Sequence, residues 1–468
     1  MRSGFVRIGS IAKAVHGAWV PPSRLSSINM TNSDILNLVL AAVGGALEFY
    51  EFVIFIFFTP IIAKLFFPPD LPEWVRQAQT FGIFAAGYLA RPLGGMVLAH
   101  FGDTRGRKRV FTWSVLLMAI PTLTIGLLPT YASAGNFAPL LLLLMRLTQG
   151  AALGGEIPGA SVFVAEHARG RRLGLAISLL TSAIIAGLFL GSLTAIGLDL
   201  AFAPEQIARG AWRIPFLLGG SLGFGAVLLR RSLAETAIFE EMRQRAALSR
   251  ELPLYVVIRD HTKAVIASIL STCVLISGLV VTILMTPTLL QRSFGLSAHQ
   301  TQWANLAGTA GLGFGNVLVG VAADRFSLRR VAIPALLLMM GTNYALYAGT
   351  QWKPAMLLPL YVLAGVGTSA SVLTPLFIVR AFPPSVRFSG FSFSFNFAFA
   401  VFGGVTPLVV SWLSHLNPIS PAYFVAATAA AGALAMRLSP CADAALETKA
   451  TEYIPPRSVI RARSFEQQ

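Results

Sequence analysis

"GGMVLAHFGDTRGRKRV", Gly94 to Val110, returns later in the chain as "GNVLVGVAADRFSLRRV", Gly315 to Val331. Asp103 aligns with Asp324, Lys108 with Arg329 and Arg109 with Arg330. Each copy runs from an apolar stretch into a basic turn. A helix of about 20 mostly apolar residues crosses a bilayer. Twelve such stretches occur, at roughly 35–62, 78–101, 110–130, 138–166, 172–198, 213–231, 264–291, 300–323, 331–350, 355–380, 388–414 and 420–438. Each copy of the repeat closes the second stretch of a set of six. The sequence therefore predicts an all-α integral membrane protein of 12 transmembrane helices, arranged as two parallel six-helix halves. The expected organisation is an N-terminal arm at 1–34, a first half at 35–231, a linker at 232–263, a second half at 264–438 and a tail at 439–468. Within the linker, "LAETAIFEEMRQR" reads as an interfacial helix. Met30, just before the first span, is an alternative start.

Composition supports a membrane location. Hydrophobic residues make up 55% and charged residues 12%, against about 25% charged in soluble domains. The net charge of +16 does not mark a nucleic-acid partner, because the basic residues fall in short clusters between apolar runs and form no stripe on a soluble fold. Most of the 36 Lys and Arg residues occupy alternate loops: the N-terminal arm, Arg105 to Arg109, Arg169 to Arg172, the linker, Arg325 to Arg330, Arg380 with Arg387, and the tail. The other side holds Lys64, Arg76, Arg209, Arg213, Arg292 and Lys353. The positive-inside rule then puts both termini in the cytoplasm. The expected location is the inner (cytoplasmic) membrane, multi-pass. Cys273 and Cys441 make neither a disulfide framework nor a metal spacing. No metal, cofactor or enzyme constellation is visible.

"GDTRGRKR" resembles the signature loop of the major facilitator superfamily. Further stretches resemble its metabolite:proton symporter branch, which includes citrate, 2-oxoglutarate and proline/betaine symporters. They are "GALEFYEFVIFIFF" with "FFPP", "GYLARPLGG", "RLTQGAALGGEIPGASVFVAEHA", "WRIPFLLG", "LAETAIF" and "FPPSVRFSGFSFSFNFAFAVFGG". The resemblance runs from about Asp34 to the twelfth helix. Two departures stand out: Glu51 occupies a position that is usually Asp in the branch, and the second signature copy has Phe326-Ser327-Leu328 in place of its glycine.

Five ionisable residues lie at membrane depth, all in the first half: Glu48, Glu51, Arg91, Arg146 and Glu156. The second half offers neutral groups there, among them Ser277, Asn305, Thr374 and Asn396. Charge in hydrocarbon is costly, so such residues are functional candidates. One reading makes them a lock in which the acids pair with Arg91 and Arg146 to join helices. The other divides the labour. Three acids face two bases, and an acid without a cation is suited to load and unload a proton. Glu48 and Glu51, one helical turn apart, and Glu156 are then the proton-coupling candidates. Arg91 offers a carboxylate a bidentate fork and is the leading substrate contact, with Arg146 and Asn396 as further candidates. The alternative role for Arg146 is to neutralise Glu156.

Asp103 sits at the mouth of the second helix. A carboxylate there can stabilise a neighbouring helix N-terminus and accept from Arg107 or Arg109. The resemblance implies gating by Asp103, Arg107, Arg109 and Asp324, with Glu166 and Arg172 extending the network. Pro158 is a candidate kink in the fourth helix, and Pro287, Pro375 and Pro407 are expected to interrupt helices of the second half. The functional expectation is proton-coupled symport of a small polar metabolite, an organic acid or zwitterionic osmolyte, by alternating access. A proton-driven exporter, an uncoupled facilitator and a non-transporting membrane sensor are the alternatives. Its expected partners are the substrate, protons and the lipid bilayer, with no nucleic acid and no cofactor, and the protein is expected to be monomeric.

Overall fold

A computed structural model describes residues 32–438, apart from 169–171, 232, 234, 246, 247, 249 and 250. The expected N-terminal arm and tail lie outside the described residues, apart from the first residues of α1. Among them, 12 helices are long and apolar enough to cross a membrane. They are α1 (Asn32–Phe57), α2 (Glu73–Arg105), α3 (Arg107–Leu127), α4 (Phe137–His167), α5 (Leu173–Ala201), α6 (Arg213–Arg230), α7 (Thr262–Phe294), α8 (Ala298–Phe326), α9 (Leu328–Trp352), α10 (Pro354–Ala381), α11 (Pro384–Leu416) and α12 (Ser420–Leu438).

Local chemistry explains the boundaries. The first expected span breaks at Phe58, because Pro60 opens a separate helix, Thr59–Phe66, a position where its missing N–H costs nothing. Gly106 at φ 117° separates α2 from α3. Ser327, its counterpart in the repeat, takes φ 75° between α8 and α9, so the second copy keeps the bend without the glycine. Gly295 ends α7 in the left-handed region, and Ser297 starts α8 through a capping box with Gln300. Thr236 caps the interfacial helix, found at Ala237–Gln244. A second linker helix, Pro253–Asp260, was not expected from the sequence; it buries Pro253 and Val257.

The expected interruptions in the second half have a common cause. A proline inside a helix removes a donor and clashes with the carbonyl four residues back. A π-helical turn, 277–285, precedes Pro287; a 3-10 turn, 369–372, precedes Pro375; and a π-helical turn, 399–403, precedes Pro407. Pro158 differs: it lies inside a continuous α-helix.

The helix contacts repeat with the sequence. In the first half α1 packs on α5, α2 on α4 and α3 on α6; in the second α7 packs on α11, α8 on α10 and α9 on α12. The halves meet through α2 against α11 and α5 against α8, a symmetric pair of seams. Small residues permit the closest approaches: Gly150 lies against the Gly87 backbone and Gly365 against Gly308.

Candidate functional site

Two polar layers stand out from the apolar core. One lies deep in the first half. The other lies at the face bearing the basic loops.

The deep layer starts on α1. Glu51 is buried and accepts a 2.9 Å hydrogen bond from the Thr122 hydroxyl on α3. Gln149 on α4 donates to the same hydroxyl at 2.7 Å. Arg146, one turn earlier, donates to Gln149 at 2.8 Å and lies over the rings of Phe55 and Phe84 at 4.3 and 5.1 Å. A continuous chain, Arg146–Gln149–Thr122–Glu51, thus crosses three helices, with every member buried. Glu48 differs from its neighbour. It too is buried, but makes no hydrogen bond or ion pair among the described residues. The charges acting on it are those of Glu156, Arg230, Arg91 and Glu51.

Glu156 corrects the expected charge count. It is paired with Arg230 at 2.8 Å, not with Arg91 or Arg146, and also touches the Ser114 hydroxyl. Arg230 closes the sixth apolar stretch and counts in the sequence with the basic residues of the linker side, yet it is 1% exposed. Its long stem reaches inward from the last turn of α6. The guanidinium passes Gly44, where a side chain would collide with it, donates to the Phe111 carbonyl at 2.6 Å and lies 3.5 Å from the centroid of the Phe111 ring. Three acids therefore face three bases. The acid without a bond is set by geometry and not by number.

Arg91, on α2, is buried between Tyr88 and Phe399. Its Nε donates to Asn396 of α11 at 3.4 Å, while Nη2 has no hydrogen-bond partner among the described residues. Asn396 donates in turn to the Gly154 carbonyl of α4 at 2.7 Å. Here Asn396 latches one half onto the other and does not face an open cavity. The phenylalanines around it divide by helical spacing: Phe391, Phe395 and Phe399 are buried, with Phe391 meeting Phe395 edge to face and Phe395 tilted against Phe399, while Phe397 is exposed.

The second half answers the deep layer with neutral groups. Asn343 on α9 stands as far past Asp324 as Thr122 stands past Asp103. It accepts from Thr282 of α7 at 2.7 Å and reaches Thr368 of α10 at 3.3 Å. The helices are those that hold Glu51, Thr122 and Gln149 in the first half. One geometry is kept, with a carboxylate on one side and a hydroxyl on the other. Asn305 and Thr374, candidates from the sequence, accept from Tyr361 and bond Ser271, and Ser277 accepts from Thr428.

At the basic face, Asp103 accepts from the backbone N–H groups of Phe388 and Ser389, at 3.3 and 2.8 Å, in the first turns of α11. Asp324 accepts from those of Gly174 and Leu175, at 2.6 and 2.8 Å, in the first turn of α5. Each carboxylate caps a helix of the other half, where the exposed N–H groups and the helix dipole favour negative charge. Arg107 bonds Asp103 at 3.0 Å and Glu166 at 3.5 Å, and donates to the Pro384 carbonyl at 2.6 Å. Arg387 bonds Glu166 at 3.3 Å from the opposite half. This cluster is buried. Arg109 and Arg172, expected in it, are both exposed: Arg109 lies over Trp113, and the charge of Arg172, with that of Arg380, acts on Asp324.

Arg230, Arg387 and two linker residues were missed as site residues. Glu235 accepts from the backbone of Arg107 and Lys108 at 3.1 Å each and so caps α3. Thr236 donates to Glu166 at 2.6 Å. Their signal was the quoted stretch "LAETAIF", which carried the resemblance and was read only as part of an interfacial helix.

Residues 37–252 match the family described as sugar (and other) transporter, and residues 267–458 match the Major Facilitator Superfamily. A citrate-proton symporter of Klebsiella pneumoniae is 31% identical over 398 residues, covering 84% of this chain and 88% of its own length. A proline/betaine transporter of Salmonella typhimurium is 29% identical over 439 residues, covering 88% and 85%. Among solved structures, the proton:xylose symporter XylE bound to 6-bromo-6-deoxy-D-glucose aligns with a TM-score of 0.71 at 16% identity, over 88% of this chain and 97% of that one.

Proposed function

The chain belongs to the major facilitator superfamily, and from that premise we propose that it is a secondary active transporter that carries a small polar metabolite together with a proton. The observation that carries this reading is the acid pair on α1. Among the described residues Glu48 is buried without a hydrogen bond or ion pair, and Glu51 is held by one hydroxyl. Desolvated carboxylates with so few partners are suited to exchange a proton. A second half with neutral groups at the matching positions gives the proton one side of the molecule to bind.

Arg91 is assigned to the substrate. Its unsatisfied Nη2 offers a donor that a carboxylate can take. Citrate, proline and betaine, the molecules in the relatives' names, all carry a carboxylate. The basic face is assigned to the cytoplasm, the location to the inner membrane, and residues 232–263 to a cytoplasmic linker between the halves at 35–231 and 264–438. With both carboxylate caps and the Arg107–Glu166–Arg387 cluster engaged, passage at that face is shut. Opening it exchanges these contacts for water, and the halves rock about the deep layer.

The test is uptake of labelled citrate, proline and betaine into proteoliposomes with an imposed inward proton gradient. Concentrative uptake of at least one, abolished by a protonophore, is expected. For that substrate, Arg91→Lys should weaken apparent affinity by about 1–3 kcal/mol, the scale of a charge-assisted hydrogen bond. Accumulation of a substrate without response to the gradient contradicts proton coupling.

A further inference from the structure

On the outer surface of α2, Leu93, Val97, Phe101 and Arg105 follow one another at four-residue spacing, so they share a face. On α3, Ile120, Leu117, Trp113 and Arg109, at spacings of three, four and four, also share a face and run toward the same basic end. Leu93, Val97, Leu117 and Ile120 are exposed. The aromatic rings meet edge to face, 6.4 Å apart. Arg105 lies 4.7 Å from the Phe101 ring and Arg109 6.0 Å from the Trp113 ring. Two apolar tracks thus run side by side down the membrane surface, each passing an aromatic ring and ending in a guanidinium.

They end in a cavity of about 700 Å³ between the α2–α3 turn and the linker helix Ala237–Gln244. Arg105, Lys108, Arg109, Arg231 and Arg243 line it. Two acids also line it, and both are engaged. Glu235 is taken up by the backbone of Arg107 and Lys108, and Glu240 faces Arg243 at 3.7 Å. Among the described residues no carboxylate pairs with Arg105, Arg109 or Arg231. Lys108 ties the two walls together by donating to the Arg231 carbonyl at 3.0 Å.

The geometry points to an anionic phospholipid site. The headgroup phosphate occupies the basic cavity, the glycerol lies at the level of Trp113 and Phe101, and the two acyl chains follow the α2 and α3 tracks. Basic pockets at the ends of membrane helices recognise such headgroups, and tryptophan favours the interfacial level. The paired tracks distinguish a diacyl lipid from a soluble phosphate, which needs only the cations. The repeat supplies a contrast: Pro334 stands at the position in α9 that corresponds to Trp113.

The test is native mass spectrometry of the detergent-purified full chain, titrated with phosphatidylglycerol or phosphatidylcholine. The parent protein should retain phosphatidylglycerol at least about tenfold better, from several cations acting on one headgroup. The triple variant Arg105→Gln, Arg109→Gln, Arg243→Gln alters only exposed side chains and should lose that preference. Arg325→Gln with Arg330→Gln, on the same face of the second half, should keep it. An undiminished preference in the triple variant, or an equal loss in the second-half variant, overturns the site in favour of diffuse surface attraction. Glycerol 3-phosphate at equal concentration should leave the bound lipid in place; its displacing the lipid as well as phosphatidylglycerol does would make the cavity a soluble-anion site and overturn the lipid assignment.

Discussion

Arg230 sets the charge balance of the deep layer. A buried ion pair adds little over well-packed apolar groups, but removing one partner strands the other. Arg230→Met should therefore cost about 3–5 kcal/mol of stability, and Arg230→Met with Glu156→Gln should recover most of it. Unfolding titrations of the two variants in one detergent check this; equal losses would remove the pair from the account. The sequence placed Glu156 at membrane depth but left Arg230, at the end of the sixth stretch, among the basic residues of the linker side. Position along the chain marks where an arginine starts, not where its guanidinium ends, and long side chains near helix ends reach several ångströms in either direction. Only Gly44, by leaving the path open, reveals the inward direction, and that requires knowing which helices are neighbours. Arg387 escaped notice for the same reason. Glu48, Glu51 and Arg91 were legible because an ionisable group in the middle of an apolar run has no solvated alternative.

At the scale of helices, the decisive devices are the two carboxylate caps that join the halves at the basic face. Losing the charge of Asp103 weakens its hold on the first turns of α11 and leaves Glu166 as the one carboxylate bonded to Arg107 among the described residues. Asp103→Asn should lower transport severalfold while the protein inserts at near-normal abundance, since the contact is at a mouth and not in the core. Uptake rate divided by amount in the membrane is the measurement; a parental ratio would reduce the turn to a topogenic role. Ser327 is a second test at this scale. Its φ of 75° belongs to a region that side chains disfavour, at about 1–3 kcal/mol. Ser327→Gly should raise stability by about 1 kcal/mol, read as a higher midpoint in the same unfolding titration. An unchanged or lower midpoint would mean the bend carries no strain. Helix number and order were legible from hydropathy, and the bend before α9 from the repeat. The irregular turns before Pro287, Pro375 and Pro407 follow from proline chemistry, but Pro158 shows the limit: the same residue type sits in a continuous helix, and the sequence holds no sign of which outcome applies.

The whole molecule is a pseudo-symmetric pair of halves with an asymmetric interior. Helix contacts and carboxylate caps repeat between the halves, and the proposed mechanism moves the two as equivalent bodies. The carboxylates of the first half, set against Thr282, Asn343 and Thr368 of the second, give the motion something to respond to. Orientation is tested by single cysteines at Lys353 and Arg243 in an otherwise cysteine-free protein. Membrane-impermeant labelling of intact cells should reach the first and not the second. The reverse pattern would invert the assignment of the two faces. The account rests most directly on the acid pair of α1, and one paired measurement tests it: proton-driven accumulation and counterflow exchange for Glu48→Gln and Glu51→Gln in matched vesicles. A glutamine mimics the protonated, loaded form, which can still reorient. One of the two variants should lose concentrative uptake and keep exchange at close to the parental rate. Both variants retaining full accumulation, or both modes falling together in each, would contradict a proton carried on this pair.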